Sequence, residues 1–506
     1  MFVIPAGMAT LDERTCWYFT LNELSLILAL ARAGATGRAW NSFVAAGLEN
    51  RTDDPPVLTL KGRLLKDQAR LATGEAREQL FLQSARAYAD ASSLKPDSYA
   101  LINAAAMLLF AGQADQAKIL ANQVLTLIQT GTGGGETAYW HAATRAEALL
   151  LVGETANAEV SLAKAVGHAP QAFEDHATTL RQFRLILECR GDETGWLDRH
   201  APPCSLCYSG IIGIDSGDEA AHAAIARAVD DIAPAFGYGA LAAGADIIIA
   251  EALLRRGAEL HLVLPAIPSR FKEFSVEPFG GDWVRRFDAA FEAAASVDIG
   301  EPASPISRSS VIVAAQVSLG LAIDNAQRME SRTAVLRVIA SNETHRDEQF
   351  PDGVNVTAIY VDRSADTDAD ILSDGEIAAL LVIHNGNDET TAFASASASA
   401  VGIDQGHVVA TFARMRDATA ALERCRADNP DQTIALDYRV SDGALASHDA
   451  QRARAIRMLQ AAAPGTVIMS TEAAMALKHE RPRSRLEPLG DLPSHEGPIA
   501  LYAVRL

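Results

Sequence analysis

The hydrophobic pattern changes character twice along the chain. Up to about residue 195, apolar residues recur at three- and four-residue intervals, alanine is abundant and alternating β-branched runs are almost absent, which predicts helix after helix. The prolines of Arg199–Pro203 end that pattern and mark a linker. Short apolar runs then alternate with amphipathic stretches. A strand is expected over Cys204–Ile214, a capping loop at 215–218, a helix over Glu219–Ile232 and a short strand over Phe236–Ala240. A loop of small residues follows, then a helix over Ala245–Arg256 stopped by Gly257, and a buried parallel strand over Leu260–Leu264 bounded by Pro265. Beyond an irregular stretch, Ser269–Trp283, come a helix over Asp282–Ala295, a strand near Val297, a long helix over Ser309–Met329 and a strand over Ala334–Ala340.

The acidic run Glu343–Asp352 is the next expected boundary. After it the pattern is α+β. Strands are expected at Asn355–Asp362, Val408–Phe412, Thr433–Val440, Val467–Ser470 and Ile499–Val504. Helices are expected at Asp374–Asn385, Arg416–Ala427, Asp449–Ala461 and Thr471–Lys478. The alternating alanines and serines of Ala394–Ala400 read as a flexible loop. The expected domains are therefore residues 1–198, all α; 204–342, an α/β Rossmann-like parallel sheet; and 353–506, α+β.

The helical region carries a weak internal repeat. Ala85, Tyr88 and Ala89 lead to Leu94-Lys95-Pro96-Asp97, and Asn103–Phe110, Gly112, Ala114 and Ala117 follow. After the glycine-rich insert at 131–135, Trp140, Ala146, Leu150, Gly153, Ala156, Ala158 and Ala165 repeat the pattern before Pro170. Over about 80–195, with room for further repeats upstream within 1–198, this resembles tetratricopeptide repeats, which implies stacked helix pairs and a groove presented to a protein partner. A generic helical bundle is the alternative.

The central strand–loop–helix–strand unit places Gly237, Gly239 and Gly244 in the turn and Asp246 in the first turn of the helix. Glycine lets backbone approach a ligand or a crossing helix, and a helix N-terminus favours phosphate. Asp246 can complement the dipole or accept a ribose hydroxyl. The spacing G-x-G-x4-G-x-D is not the dinucleotide fingerprint G-x-G-x-x-G, so a tight turn without a ligand is the competing reading. Arg270 and Lys272 fall just past the strand end, where open α/β sheets bind ligands and where a cation can meet a phosphate or remain solvated. The run FGYGALAAGADIIIAEALLRRGAELHLVLP resembles the SLOG superfamily, Rossmann-like domains that include the DNA-processing protein A and the "Lonely Guy" enzymes. The resemblance covers about Ser205–Ser341 and implies binding of a nucleotide-type ligand. The PGGxGTxxE motif of the hydrolase branch is absent, so the resemblance implies ligand binding more than phosphoribosyl hydrolysis.

The C-terminal run IRMLQAAAPGTVIMSTEAAMAL…RLEPLGD…GPIALYAVR resembles class III adenylate/guanylate cyclases over about 355–506 and implies a ferredoxin-like core. Such enzymes hold two metal ions on two aspartates. By the resemblance, Asp362 takes the first position, Gly406 stands where the second aspartate belongs, Arg457 matches the transition-state arginine, and Ala453 replaces its asparagine. No lysine precedes Gln405 in the adenine-selecting place. The resemblance thus implies a catalytically inactive fold in which Asp362 and Arg457 are remnants. It also implies a homodimer, because class III sites form between two protomers.

Composition narrows the remainder. A formal charge of −20 over 506 residues gives no basic stripe for nucleic acid. The N-terminal residues lack a secretory pattern, and the longest apolar runs, Leu24–Ala31 and Val311–Ile323, are short for a bilayer, so a cytoplasmic protein with no membrane contact is expected. Five cysteines in this length fit a reducing compartment, and the pair Cys204/Cys207 has too few companions for a zinc site. No metal or tightly held cofactor is expected beyond the nucleotide-type ligand. The expectation is a bacterial-type multidomain signalling protein. An active cyclase or nucleotide hydrolase with a divergent site, and a pure interaction scaffold, are the alternatives.

Overall fold

A computed structural model of the chain describes residues 13–32, 34–131, 137–300, 306–341, 350–363, 375–386, 388–441, 445–494 and 497–505. They form two compact units, Met1–Ala201 and Pro202–Leu506. Most of the glycine-rich insert and most of the acidic boundary lie outside the described residues.

The first unit is helical: α1 (Glu13–Arg32), α2 (Thr36–Ala45), α3 (Pro55–Ala69), α4 (Gly74–Leu94), α5 (Ser98–Phe110), α6 (Ala114–Thr130), α7 (Ala138–Val152), α8 (Thr155–His168) and α9 (Phe173–Arg190). Capping follows the sequence signals. The Asp97 side chain accepts from the Tyr99 N–H and the Thr137 side chain from the Trp140 N–H, while Gly153 ends α7 in the left-handed region at φ 101°. From α3 to α8 each helix packs on the next. α5 also touches α7 and α9, so its small residues Ala104, Ala105 and Ala106 are fully buried on an inner layer.

The second unit holds two sheets. The first is built from β1 (Ser205–Gly210), α10 (Glu219–Ile232), β2 (Phe236–Gly239), α11 (Ala245–Arg255), β3 (Glu259–Leu264), α12 (Pro268–Ser275), α13 (Trp283–Glu292), β4 (Ser296–Ile299), α14 (Arg308–Arg328), β5 (Thr333–Ala340) and β6 (Asn355–Val361). All six strands are parallel, in the order β4-β3-β2-β1-β5-β6. The period of two along β3 sorts its side chains: Leu262 and Leu264 pack into the core shared with α11, and Val263 into the core shared with α14.

The second sheet contains β7 (Glu376–Ile383), α15 (Asp388–Ser395), β8 (Ala400–Asp404), β9 (His407–Phe412), α16 (Met415–Asp428), β10 (Ile434–Ser441), α17 (Leu445–Ala461), β11 (Val467–Ser470), α18 (Thr471–Glu480), β12 (Arg485–Leu492) and β13 (Ile499–Arg505). It is mixed, in the order β12-β13-β11-β10-β7-β9-β8, and parallel only between β10 and β11.

Two expectations are corrected here. β6, expected to open the third domain, instead pairs along its whole length with β5 as the edge of the parallel sheet. Glu376–Ile383, expected as a helix, is a central strand: Ala379 and Leu381 face one core while Leu380 and Val382 face the other. The stretch expected as a loop, Ala394–Ala400, is a turn over 396–399 that joins the end of α15 to the start of β8.

The two sheets share one helix. α14 lies against β1, β2, β3 and β5, and also packs on α18, β7 and β10. Gly320 permits the α14–α18 approach, since a Cβ there would fall 2.2 Å from the Met475 carbonyl oxygen. Beside it the buried Lys478 ammonium meets Asp324 at 3.2 Å, and Tyr438 Oη donates to Gln316 Oε1 at 2.7 Å. By length and composition α14 is apolar enough to cross a membrane, but its apolar faces are taken by the two sheets.

Candidate functional site

The carboxyl ends of β1 and β2 carry the residues singled out in the sequence. The loops that leave these strands are zipped together. Ala245 N–H donates to the Ile211 carbonyl (3.1 Å), Gly213 N–H to Ala243 (3.3 Å) and Ala243 N–H to Ser275 (2.9 Å). Ile247 N–H reaches the Ala242 carbonyl at 3.4 Å. Two amides at the head of α11 that were expected to face an anion are thus taken by protein carbonyls.

Each glycine has a packing reason. A Cβ on Gly237 would lie 2.3 Å from Leu253 Cδ1, and one on Gly239 2.6 Å from the Tyr208 ring. Gly244 has φ 108° and would place a Cβ 2.9 Å from the Ile211 carbonyl oxygen. Tyr208 itself is held by a 2.9 Å hydrogen bond from its hydroxyl to the Ala240 carbonyl.

Asp246 sits beneath this seam, 7% exposed. Its Oδ2 accepts from Ala242 N–H at 3.3 Å, and its Oδ1 is buried without a partner. Burial pushes the carboxyl up to about 7, against the opposing effect of the Ala242 and Gly210 amides. A carboxyl that exchanges its proton near neutrality therefore lies where the two strands end. Arg270 is exposed in the first turn of α12 and makes no hydrogen bond or ion pair among the described residues. Lys272 is committed elsewhere, 2.7 Å from Asp288 and over the Phe287 ring at 5.8 Å.

A cavity of about 660 Å³ opens between α10, α11 and α13, lined in part by His222, Ile248, Glu251, Arg255 and Arg286. Arg286 is saturated there: it forms two bonds to Glu251 at 2.8 and 2.7 Å and lies 4.2 Å from the Trp283 ring centroid.

The cyclase-like residues stand on different sheets. Asp362 is exposed just past β6 on the parallel sheet, whereas Arg457 lies on α17 over the mixed sheet and donates to the Pro493 carbonyl. Gly406 occupies the second position of a two-residue hairpin between β8 and β9, with φ 49° at Gln405 and 81° at Gly406. Positive φ at both positions is what a type I′ hairpin needs, so the turn itself explains a glycine there.

Two polar clusters escaped the sequence reading. In the mixed sheet Asp437 is fully buried on β10, with Arg454 Nε 3.5 Å from its Oδ1 and Arg454 Nη2 3.8 Å from Glu472. An aspartate on the buried run IALDYRV was its only signal. In the helical unit, polar side chains from five helices converge: Arg63, Lys66 and Asp67 on α3, Tyr88 on α4, Tyr99 and Asn103 on α5, Glu147 on α7 and Gln182 on α9. Arg63 Nε stands 3.9 Å from Asp67, Lys66 Nζ 3.5 Å from Asn103 Oδ1, and Gln182 Nε2 donates to Glu147 at 2.9 Å. Burial lowers Lys66 to about 8 despite Asp67 and Glu147, and raises Glu147 to about 7 despite Gln182 and Lys66. The helical spacing hid these groups, because each alone reads as one polar residue on an amphipathic helix.

Residues 18–108 match the family described as Tetratricopeptide Repeats-Sensor. The match spans α2 to α4 and most of α1 and α5, within the helical region expected over 1–198 and partly overlapping the repeat read over about 80–195. No curated protein matches the chain.

Proposed function

We propose that the chain is a regulatory sensor. The helical array receives a protein or ligand signal, and the two-sheet unit binds a nucleotide-type ligand and carries the response. The observation behind this reading is a sensor-type repeat domain joined in one chain to a parallel sheet whose strand order reverses between β1 and β5. Open sheets of this kind take ligands at the carboxyl ends of the strands beside such a reversal. The loop 211–218 after β1 and the exposed Arg270 flank that edge. The SLOG-like assignment is the finer form of the same proposal. Since the Gly244 turn is packed, the ligand is placed on the rim of the edge rather than in the turn.

The mixed sheet is proposed as a cyclase-like module that dimerises and does not catalyse. The placement of Asp362 and Arg457 on separate sheets favours this over an active cyclase. Calorimetry of the full chain against ATP, GTP and cyclic dinucleotides tests the ligand. We expect saturable binding that Arg270→Ala weakens about tenfold, as loss of a charge-assisted contact to phosphate would. No binding at micromolar ligand reduces the unit to a scaffold. Cyclic nucleotide made from ATP or GTP with manganese, and lost in Asp362→Ala, would overturn the assignment of an inactive module.

A further inference from the structure

We propose that the polar cluster inside the helical array is a binding site for a compact oxyanion, phosphate or carboxylate, seated against Lys66, Arg63 and the Tyr88 hydroxyl. This deepens the reading of the array as the receiving module and rests on it.

Hydrogen bonding gives the first argument. Tyr88 is fully buried and its hydroxyl has no partner, and Arg63 Nε is likewise buried and unpartnered, 3.9 Å from Asp67 and so beyond hydrogen-bond reach. A guanidinium N–H can only donate, and a phenol beside it readily does, so both orphans ask for an acceptor. Buried polar groups without partners are costly, and a bound group or water that satisfies them removes that cost.

Charge gives the second argument. Arg63 and Lys66 on α3, with Arg70 just past its end, stand near Asp67 on the same helix and Glu147 on α7. Glu147 exchanges its proton near neutrality, so the cluster carries a surplus of positive charge when Glu147 is protonated. Tyr99, Asn103 and Gln182 complete the wall with neutral groups. Lys66 and Glu147 are half-buried.

An anion entering beside Lys66 favours its charged form and disfavours that of Glu147, so binding takes up protons near neutral pH. The test is calorimetry of the full chain at pH 7.5 with inorganic phosphate and, separately, succinate, each in two buffers of different ionisation enthalpy. We expect saturable binding of at least one probe with net proton uptake, and the stronger probe identifies the class. Lys66→Met should weaken it at least about tenfold and Tyr88→Phe about fivefold, while Glu147→Gln should lose most of the proton uptake. Absence of saturable binding by either probe overturns the proposal and leaves a water-filled polar network. Binding that Lys66→Met and Tyr88→Phe leave unchanged overturns it too. Nucleotide binding sensitive to Arg270→Ala is measured on the other unit, so failure here is distinguishable from failure of the sensor reading.

Discussion

Gly320→Ala offers a test whose sign is opposite to that of helix propensity. In the interior of a helix, replacing glycine by alanine ordinarily stabilises by about 1 kcal/mol. Here the new Cβ would lie 2.2 Å from the Met475 carbonyl oxygen and 2.7 Å from its carbonyl carbon and Cα, all backbone atoms that no rotamer change can move. Relief requires α14 and α18 to separate by about 1 Å, and a gap of that size forfeits up to about half of each dispersion contact along the crossing. It also stretches the Lys478–Asp324 pair, which lies one turn further along both helices. Overpacking of this kind costs about 1–3 kcal/mol. With the strained buried pair added, the loss should exceed the propensity gain by about 2 kcal/mol or more. Urea-dependent hydrogen exchange of peptides from α14 and α18 in the full chain measures it, and both should lose protection at lower urea than in the parent protein. Unchanged or increased protection would refute the claim that this close crossing joins the two sheets.

Two further outcomes follow from buried ionisable groups. The Asp246 carboxyl is raised from 3.8 to about 7 in the folded protein, so the native state binds more protons than the unfolded chain between those values. Stability of the two-sheet unit should therefore fall as pH rises through that window, by up to about 1.4 kcal/mol per unit. Asp246→Asn should flatten the slope in melting curves taken from pH 4 to 8, and an unchanged slope would place the titration elsewhere. Lys478→Met leaves Asp324 without its cation and should cost about 1–3 kcal/mol by urea unfolding, less than a fully buried orphan because Asp324 retains some solvent. Adding Asp324→Leu should recover part of the loss, and failure to do so would mean the pair is not coupled.

Most strands and helices of the parallel sheet were legible because local signals agreed, although α12 falls in a stretch expected to be irregular. Gly257 and Pro265 bracket β3, Asp218 caps α10, and the apolar run of β3, broken only by His261 after Glu259, fits a strand largely buried on both faces. Which sheet a strand joins is a long-range matter. β6 alternates exposed and half-buried positions as an edge strand should, and nothing in Asn355–Val361 states that its neighbour is β5. Glu376–Ile383 misled because Ala-Ala-Leu-Leu carries helix propensity, while its burial between β9 and β10 overrides that preference. At the candidate site, glycine spacing marked a tight place correctly but not what fills it. Leu253 lies eight or more residues from the turn and Tyr208 belongs to another strand. The inner cluster of the array was least legible, since Arg63, Tyr88 and Glu147 meet only when successive helices stack.

The central claim is that the two-sheet unit takes a nucleotide-type ligand at the carboxyl edge of its parallel sheet. Hydrogen exchange of the full chain with and without saturating ATP or GTP tests it most directly. The account predicts slower exchange in residues 211–218 and across Pro268–Ser275. Protection absent from both segments, or confined to the helical unit, would contradict it.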